Sequence, residues 1–215
     1  MTHVFLDLDG TLTESGIGIT RSIAHALEAM GHPVPPQAVL DQQIGPSLWD
    51  CFAGFGMDRA DQDRAVALYR ERYTTVGLFE NRVYDGIAEM LVRLGEAGCM
   101  LHLATAKPIA YAKKITAHFD IGRHLTREFG SELDGTRTDK TELIAHALTE
   151  TGASPAASFM IGDRHHDMIG ALNNGLTPVG ALWGYGQPGE LSDAGCTDIV
   201  ANPAEAADLI LRRLE

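Results

Sequence analysis

The sequence predicts an α/β protein whose parallel sheet is interrupted by a block of helices after its first strand. Three observations favour this: an apolar strand at the N-terminus, only helical periodicity from about residue 16 to 80, and regular alternation of strands and helices from about residue 81 onward. Such alternation is typical of a Rossmann-like, doubly wound parallel sheet. We therefore expect a core formed by residues 1–15 and 81–215 and an inserted α-helical cap over residues 16–80.

The first strand is predicted over His3–Leu8, a nearly continuous apolar run. Runs of this kind are typical of a central parallel strand that is covered on both faces. The block that follows has helical spacing, and its first apolar stripe consists of Ile19, Ile23, Leu27 and Met30. Two or three further helices are expected there, with Pro46 in the first turn of one of them.

Strands and helices alternate in the remainder of the chain. Asp85 is predicted to cap a helix that Gly98 ends. Further strands are predicted in "CMLHLA", "ASFMIG" and "TPVGAL", and further helices in "IAYAKKITAHF", "KTELIAHALTETG", "HDMIGALNNG" and "PAEAADLILRRL". The segment "GSELDGTRTD" is predicted to be a loop.

Composition excludes several classes of function. The net charge of −12 provides no basic stripe to neutralise phosphates, which argues against a nucleic-acid partner. The three cysteines have neither metal-ligand nor redox-motif spacing, and their odd number suits a reducing compartment. Because a predicted strand begins at residue 3, we expect no leader segment, and the sequence has no apolar run of about 20 residues. We expect a cytoplasmic protein without a membrane partner, either a monomer or a homodimer.

Polar side chains follow several of the predicted strands at the points where they end. Ligands of open α/β sheets bind at the carboxyl ends of the strands, so these side chains are expected to lie together. They are Asp7 and Asp9 at the end of the first strand, Thr105 at the end of the second, Lys140 at a helix start, and Asp163 and Asp167 beyond "ASFMIG". Because burial of an unpaired carboxylate is costly, we expect the acids to serve a site.

Phosphoryl transfer through a carboxylate needs this combination of groups. A carboxylate can act as a nucleophile and form an aspartyl-phosphate that water then cleaves. A hard divalent cation such as Mg²⁺ removes the repulsion between the acids and a phosphate dianion. Lys140 and the Thr105 hydroxyl are predicted to bind phosphate oxygens, with backbone N–H groups of Gly10, Thr11 and Ala106. The predicted partner is a small phosphorylated metabolite.

The same residues carry a resemblance to a known family. The segments "DLDGTLTES" and "ATAKP", then Lys140, then "GDRHHD" resemble the four motifs of the haloacid-dehalogenase (HAD) superfamily, in the same order. The segments "IGPSL", "LFENRVYDGI", "GSELDGT" and "WGYG" resemble phosphoglycolate phosphatase-like and 5′-nucleotidase-like members that have a helical cap. The resemblance covers almost the whole chain and implies a Mg²⁺-dependent phosphatase.

The resemblance also implies a role for each motif residue. Asp7 would be the nucleophile and a Mg²⁺ ligand, and Asp9 the general acid and base with its backbone carbonyl on the metal. Thr105 and Lys140 would bind the transferring phosphoryl group. Asp163 would ligate Mg²⁺, and Asp167 would support the metal, directly or through water. Dehalogenases of the superfamily lack the second acid, so Asp9 places the sequence among the phosphatases and phosphomutases.

Alternative interpretations of these residues remain open at this point. A phosphomutase uses the same core, and a non-catalytic phosphate-sensing protein could be built on it. The acids of "DLDG" could form a calcium loop, although a strand before them argues against one. His165 and His166 could bind zinc but are better explained as residues at the edge of the pocket.

Smaller features carry weaker predictions. Lys107 and Arg164 could pair with Asp163 or Asp167, or be exposed. Helical spacing favours a place in the core of the cap for the side chains of Trp49, Cys51 and Phe52. The loop over residues 44–48 is the predicted contact between the cap and the substrate, and "WGYG" is predicted to be a turn.

Overall fold

A computed structural model describes residues 1–214 and contains one six-stranded parallel sheet. Its strands are β1 His3–Leu6, β2 Met100–Pro108, β3 Arg127–Ser131, β4 Ser158–Gly162, β5 Thr177–Ala181 and β6 Asp198–Val200. The strand order is β3-β2-β1-β4-β5-β6. The predicted Rossmann-like, doubly wound class is confirmed. The order reverses between β1 and β4, where such sheets bind their ligands.

The chain forms two compact units, one of Met1–Thr13 with the chain from Val83 onward, and one of Glu14–Arg82. The predicted boundaries were 15/16 and 80/81. That the smaller unit acts as a cap stays a prediction. Its helices are α1 Gly16–Ala29, α2 Gln37–Asp41, α3 Leu48–Gly54 and α4 Arg59–Arg72, followed by one π-helical turn at Tyr73–Gly77.

The smaller unit has its own apolar core. Helix α4 packs against both α1 and α3. Ile19, Ile23 and Leu27 are buried as their spacing predicts, whereas Met30 is only partly buried. Cys51 and Phe52 are buried. Trp49 is only partly covered: its Nε1 donates to Asp63 Oδ1 at 2.8 Å, which corrects its placement in the core.

The larger unit surrounds the sheet with the remaining helices. They are α5 Ile87–Glu96, α6 Ile109–His118, α7 Lys140–Thr151, α8 His165–Asn173, α9 Glu190–Asp193 and α10 Pro203–Arg212. Phe5, Ala104, Ile144 and Met160 are fully buried in the core between the sheet and its helices. No helix of the described residues has the length and apolarity needed to cross a membrane.

Two predicted helix starts are wrong by one or two residues. Helix α5 begins at Ile87, and Gly86 with φ of 84° precedes it, so Asp85 is not the N-cap. Helix α3 begins at Leu48, and its N-cap is Ser47, whose side chain accepts from the Asp50 amide. Pro46 therefore precedes the cap and does not occupy the first turn. Gly86 thus separates Asp85 from α5, and the N-cap Ser47 separates Pro46 from α3.

Three elements have no counterpart in the sequence-based prediction. Strands β3 and β6 lie at the two edges of the sheet, and α9 has only four residues. β3 begins with charged, exposed Arg127, and β6 has three residues of which only Val200 is buried. Edge strands are short and partly polar because one side faces solvent, so their apolar pattern is weak.

Candidate active site

The N-terminal strand delivers Asp7 to the switch point of the sheet. Asp7 directly follows β1, and its amide donates to Ile161 O at 3.0 Å, which continues the pairing with β4. The chain then turns back at Leu8, whose carbonyl accepts from the Thr13 amide at 2.9 Å. Gly10 is required in this turn: its φ is +85°, and a Cβ there would lie 2.2 Å from Asp163 Oδ2.

Strand β4 and helix α8 deliver the other two acids. Asp163 follows β4, and Asp167 lies in the first turn of α8, where it accepts from the Arg164 amide at 3.2 Å. Both carboxylates are buried, with 0% and 1% exposure. Gly162 lets Asp167 approach the strand, because a Cβ on this glycine would lie 2.3 Å from the Asp167 side chain.

Lys140 lies among these carboxylates. It is the first residue of α7, and Asp139 caps the helix by accepting from the Glu142 amide. Its ammonium Nζ is 2.8 Å from Asp7 Oδ1, 2.6 Å from Asp167 Oδ1 and 2.8 Å from Ala104 O. Three acceptors match the three N–H groups of an ammonium. The buried lysine thus joins the ends of β1, β2 and α8.

The electrostatics of the cluster are dominated by buried acids. Burial raises the pKa of Asp7 to about 6, against the opposing effect of the Lys140 ammonium. Burial and the charges of Asp167 and Asp7 raise the pKa of Asp163 well above its usual range. Burial lowers the pKa of Lys140, but the two neighbouring carboxylates outweigh burial and raise it. One ammonium therefore faces three carboxylates and cannot neutralise them.

The same cluster fits a divalent metal ion. Asp7, Asp163 and Asp167 each offer an oxygen within 4.8 Å of the others. When the three carboxylates are ionised, one lysine ammonium leaves a net negative charge, which a divalent cation would neutralise. Carboxylate oxygens are also the ligands that Mg²⁺ prefers. A bound cation would also reverse the pKa shifts of the acids. Within residues 1–214 this group contains no histidine, so His165 and His166 are not brought to it.

Asp9 lies beside the cluster and pairs with a lysine that the sequence-based prediction placed elsewhere. Lys107 Nζ is 2.7 Å from Asp9 Oδ2, and both side chains are largely buried. The sequence left Lys107 either paired with Asp163 or Asp167 or exposed, whereas the structure shows a largely buried side chain that pairs with Asp9. β2 is irregular between Thr105 and Pro108, and there the Lys107 amide donates to Thr105 Oγ1 at 3.2 Å. This irregularity turns Lys107 toward Asp9.

The predicted phosphate-binding groups lie around this edge of the sheet. Thr105 is buried in β2, and Ala106 is partly exposed, with its carbonyl accepting from Ser131 Oγ at 2.7 Å. Gly10 N donates to Thr13 O, and Thr11 N approaches Leu8 O at 3.3 Å, so both amides already serve the turn. Phosphate binding by these groups stays a prediction.

Thr11 and the "WGYG" segment also contact Asp163, which the sequence did not reveal. Thr11 Oγ1 donates to Asp163 Oδ1 at 3.1 Å, and Tyr185 N donates to Oδ2 at 2.7 Å. Trp183 Nε1 donates to Thr11 O at 2.9 Å. The sequence predicted a turn for this segment and left a place at the rim of the pocket open, without naming Asp163 as its contact. Its two glycines were the available signal, because Gly184 and Gly186 let the backbone approach Asp163 closely.

Comparisons with known proteins agree with this geometry. The family model for haloacid dehalogenase-like hydrolases matches residues 4–181. The chain belongs to this family. A 5′-nucleotidase from Pseudomonas aeruginosa is 47% identical over 190 residues, which are 88% of this chain and 86% of that protein. A predicted phosphatase from Clostridium acetobutylicum superimposes with a TM-score of 0.94 at 36% identity, covering 98% of each chain.

A third relative of this haloacid dehalogenase-like hydrolase has a different named activity. The tyrosine-protein kinase PtkA from Mycobacterium tuberculosis is 36% identical over 206 residues, which are 96% of this chain and 70% of the kinase. The phosphatase relatives and structural neighbours identify the chain as a phosphoric monoester hydrolase. The predicted family and enzyme class are thus confirmed.

Proposed function

We propose that the protein hydrolyses a small phosphate monoester through an aspartyl-phosphate on Asp7, with Mg²⁺ as cofactor. The observation that carries the proposal is the buried group of Asp7, Asp163 and Asp167 with Lys140 among them. Asp9 lies two residues from the nucleophile, at the same strand end. The set combines a nucleophile, a cation site, a fixed positive charge and a proton carrier.

The two steps divide the work between the two acids. In the first step an oxygen of Asp7 attacks phosphorus, the bond to the ester oxygen breaks, and Asp9 donates a proton to the leaving alcohol. In the second step water attacks phosphorus while Asp9 takes the proton from the water. The Asp7–phosphorus bond then breaks, which releases inorganic phosphate and restores both carboxyl groups.

The cation site and Lys140 support the charge of the reaction. Asp7, Asp163 and Asp167 would hold Mg²⁺, which supplies neutralisation of phosphate charge when bound. Lys140 favours the ionised form of Asp7, because a neighbouring positive charge stabilises a carboxylate. Thr105 and Lys140 are proposed to contact the transferring phosphoryl group. Fixed charges of this kind need no reorganisation during the reaction.

A nucleoside monophosphate is the first candidate substrate. The support is the 5′-nucleotidase relative, which shares nearly half of its aligned residues with this chain. Phosphoglycolate is the second candidate, from the sequence resemblance. That the loop over residues 44–48 contacts the substrate remains a prediction from the sequence. A phosphomutase would retain its phosphoryl group, so release of phosphate separates the two activities. Cytoplasmic location and a monomeric or homodimeric state remain predictions.

Transfer to a protein tyrosine is a second candidate function, supported by the PtkA relative that matches 96% of the chain. In that reaction ADP would leave in the first step, and a tyrosine hydroxyl would take the place of water in the second step. The two functions differ in the fate of the phosphoryl group: hydrolysis releases free phosphate, whereas kinase activity moves phosphate from ATP to protein.

A substrate panel tests the proposal. Phosphate release from nucleoside 5′-monophosphates, phosphoglycolate and p-nitrophenyl phosphate is measured with Mg²⁺, with EDTA and with Ca²⁺. Mg²⁺ should support turnover and EDTA should abolish it. Ca²⁺ should not replace Mg²⁺, because its longer bonds and higher coordination number would misplace the nucleophile. Labelled ATP with a tyrosine-containing protein provides the kinase arm.

The nucleophile is tested with a matched pair of variants. Asp7→Asn should lower turnover by about 10⁴-fold or more, because an amide is a poor nucleophile and a poor metal ligand. Asp120→Asn is the control, since Asp120 is exposed and asparagine tolerates its φ of 59°. Substantial phosphate release by well-folded Asp7→Asn would remove Asp7 from its proposed role.

A further inference from the structure

Glu190 is a largely buried carboxylate that the proposed chemistry does not use. Its side chain, in the first turn of α9, is 11% exposed. Oε1 accepts from Arg164 Nε at 2.8 Å, from the His165 amide at 3.0 Å and from His165 Nδ1 at 2.6 Å. Oε2 accepts from the Gln187 amide at 2.9 Å. One carboxylate thus holds four donors from two separate segments of the chain.

The charge of Glu190 is strongly stabilised. Burial acts to raise its pKa, but hydrogen bonds from the Gln187 and His165 amides and from the Arg164 and His165 side chains outweigh it and lower the pKa to about 2. Bonds from ionised or polar donors to a carboxylate are stronger than neutral ones. The sequence left Arg164 either paired with Asp163 or Asp167 or exposed, whereas in the structure its side chain is largely buried and binds Glu190.

The two segments that Glu190 joins both reach the candidate metal site. Arg164 and His165 form the turn between Asp163 and Asp167. The other segment, residues 183–190, contacts Asp163 through the Tyr185 amide at 2.7 Å. Glu190 and Tyr185 thus lie on one segment, and both bind the chain that carries the acids.

We propose that Glu190 is a positioning residue for the metal-binding carboxylates Asp163 and Asp167. It fixes the turn between them to the 183–190 segment, and that segment in turn holds Asp163. The inference rests on the proposed function, since it assigns these acids to the metal. Loss of the outer partners of a metal site commonly costs about 10- to 100-fold in metal affinity.

The experiment measures Mg²⁺ binding directly by isothermal titration calorimetry. We expect the Kd for Mg²⁺ to rise about tenfold or more in Glu190→Gln. The glutamine amide has no charge, and its NH₂ group would face donors that now bind a carboxylate oxygen, so the turn that carries the acids would be held less firmly. Glu190→Asp keeps the charge and should restore part of the affinity. The control is Glu205→Gln. The Glu205 side chain also accepts a hydrogen bond from a backbone amide, that of Ala201, but Glu205 is exposed and lies in the first turn of α10.

A second readout separates positioning from general stability. The melting temperature of each variant is measured without and with Mg²⁺, and the Mg²⁺-induced rise should shrink in Glu190→Gln only. At high Mg²⁺ concentration the turnover of Glu190→Gln should recover most of its loss, because excess cation compensates for weakened affinity. A residue that merely stabilised the loop would lower the melting temperature and leave the Mg²⁺ Kd unchanged.

Each outcome decides the inference. An unchanged Mg²⁺ Kd in folded Glu190→Gln overturns it. If that variant does not fold, Glu190→Asp and Arg164→Met are measured in the same way, and unchanged affinity in both overturns it. The wild-type protein could bind Mg²⁺ more tightly than Glu190→Gln and still hydrolyse no ester. That result would overturn the proposed function and support the inference. Wild-type protein that binds no Mg²⁺ overturns both.

Discussion

Lys107 binds one oxygen of Asp9 and leaves the other without a hydrogen-bond partner. Its Nζ is 2.7 Å from Oδ2, whereas Oδ1 of Asp9 is buried and accepts no hydrogen bond from any group of residues 1–214. A buried oxygen without a partner is costly, so such atoms are concentrated at functional sites. In the proposed mechanism, Oδ1 would be the oxygen that exchanges a proton with the leaving group and with water.

This relationship predicts the effect of Lys107→Met. Without the ammonium, Asp9 loses the contact that orients its carboxyl group, and a misplaced proton donor slows a step that needs one. Turnover of an alkyl phosphate should fall about tenfold more than turnover of p-nitrophenyl phosphate, whose leaving group needs little protonation. Steady-state rates with both esters measure this.

Lys113→Met is the control for this variant, because Lys113 lies exposed on α6 of the same unit. Lys107→Arg should recover part of the alkyl phosphate activity, since a guanidinium can still reach the carboxylate. An equal loss for the two esters in folded Lys107→Met would show that Lys107 does not act through Asp9.

Gly184→Ala should damage both stability and activity. A Cβ at this position would lie 2.3 Å from Gly10 O and 2.4 Å from the Asp163 side chain, and neither group can move without disturbing the acids. Overpacking of this kind costs about 1–3 kcal/mol of unfolding free energy. Denaturant unfolding and phosphate release measure the two effects.

Gly95→Ala is the control for Gly184→Ala, and we expect it to raise the unfolding free energy. Gly95 lies in α5, and a Cβ there meets no atom within 4 Å. Replacing a helical glycine by alanine stabilises by about 0.5–1 kcal/mol. If both substitutions changed the unfolding free energy equally, the close approach of Gly184 to the acids would have no energetic consequence.

The sequence predicted the central part of the sheet better than its edges. Central strands such as β4, with all five residues buried, have a continuous apolar pattern. The edge strand β3 begins with an exposed arginine, and its short alternation resembles a loop. The physical difference is burial: a strand between two others needs apolar residues on both faces, whereas an edge strand does not.

The candidate site, like the sheet, could be predicted from the sequence only in part. Asp7, Lys140, Asp163 and Asp167 could be placed together because each stands at the end of a strand or the start of a helix in a predictable topology. The partners of Lys107 and Arg164 could not be predicted. Lys107 reaches Asp9 through a strand irregularity, and Arg164 reaches Glu190 in a helix of four residues. Neither feature has a periodic signal in the sequence.

The imidazole of His102, which is buried beside the partly exposed His3, predicts loss of stability in acid. His3 Nδ1 and His102 Nε2 are 2.9 Å apart, and His102 Nδ1 is buried without a partner. A protonated His102 would place a charged N–H at this position with no acceptor. Burial, with His3 and Arg127 nearby, lowers the pKa of His102 to about 4.

The sign of the effect follows from linkage. Between pH 6.5 and about 4 the unfolded chain binds a proton at His102 that the folded protein does not, so stability falls as the pH falls through this window. The expected loss across this window is on the order of 3 kcal/mol, because each pKa unit corresponds to about 1.4 kcal/mol.

His102→Leu tests this prediction, because leucine removes the titration from the core. Urea unfolding at several pH values should show a shallower fall in unfolding free energy for His102→Leu than for the wild-type protein. His118→Gln, which changes an exposed histidine, should keep the wild-type slope. A wild-type slope in His102→Leu would assign the acid sensitivity to other groups.

The final prediction concerns Asp9 and the leaving group. Asp9→Asn keeps the shape of the strand end and the backbone carbonyl, but it removes the proton donor of the first step and the base of the second. An alkoxide leaving group needs the proton, whereas a nitrophenolate does not. The first step with p-nitrophenyl phosphate should therefore be impaired much less than with an alkyl phosphate. Because activation of water remains impaired, the phospho-enzyme on Asp7 should accumulate as a burst. Rapid-quench mass spectrometry with both esters measures the burst and its rate. Equal impairment of the first step would mean that Asp9 is not the general acid and only shapes the turn.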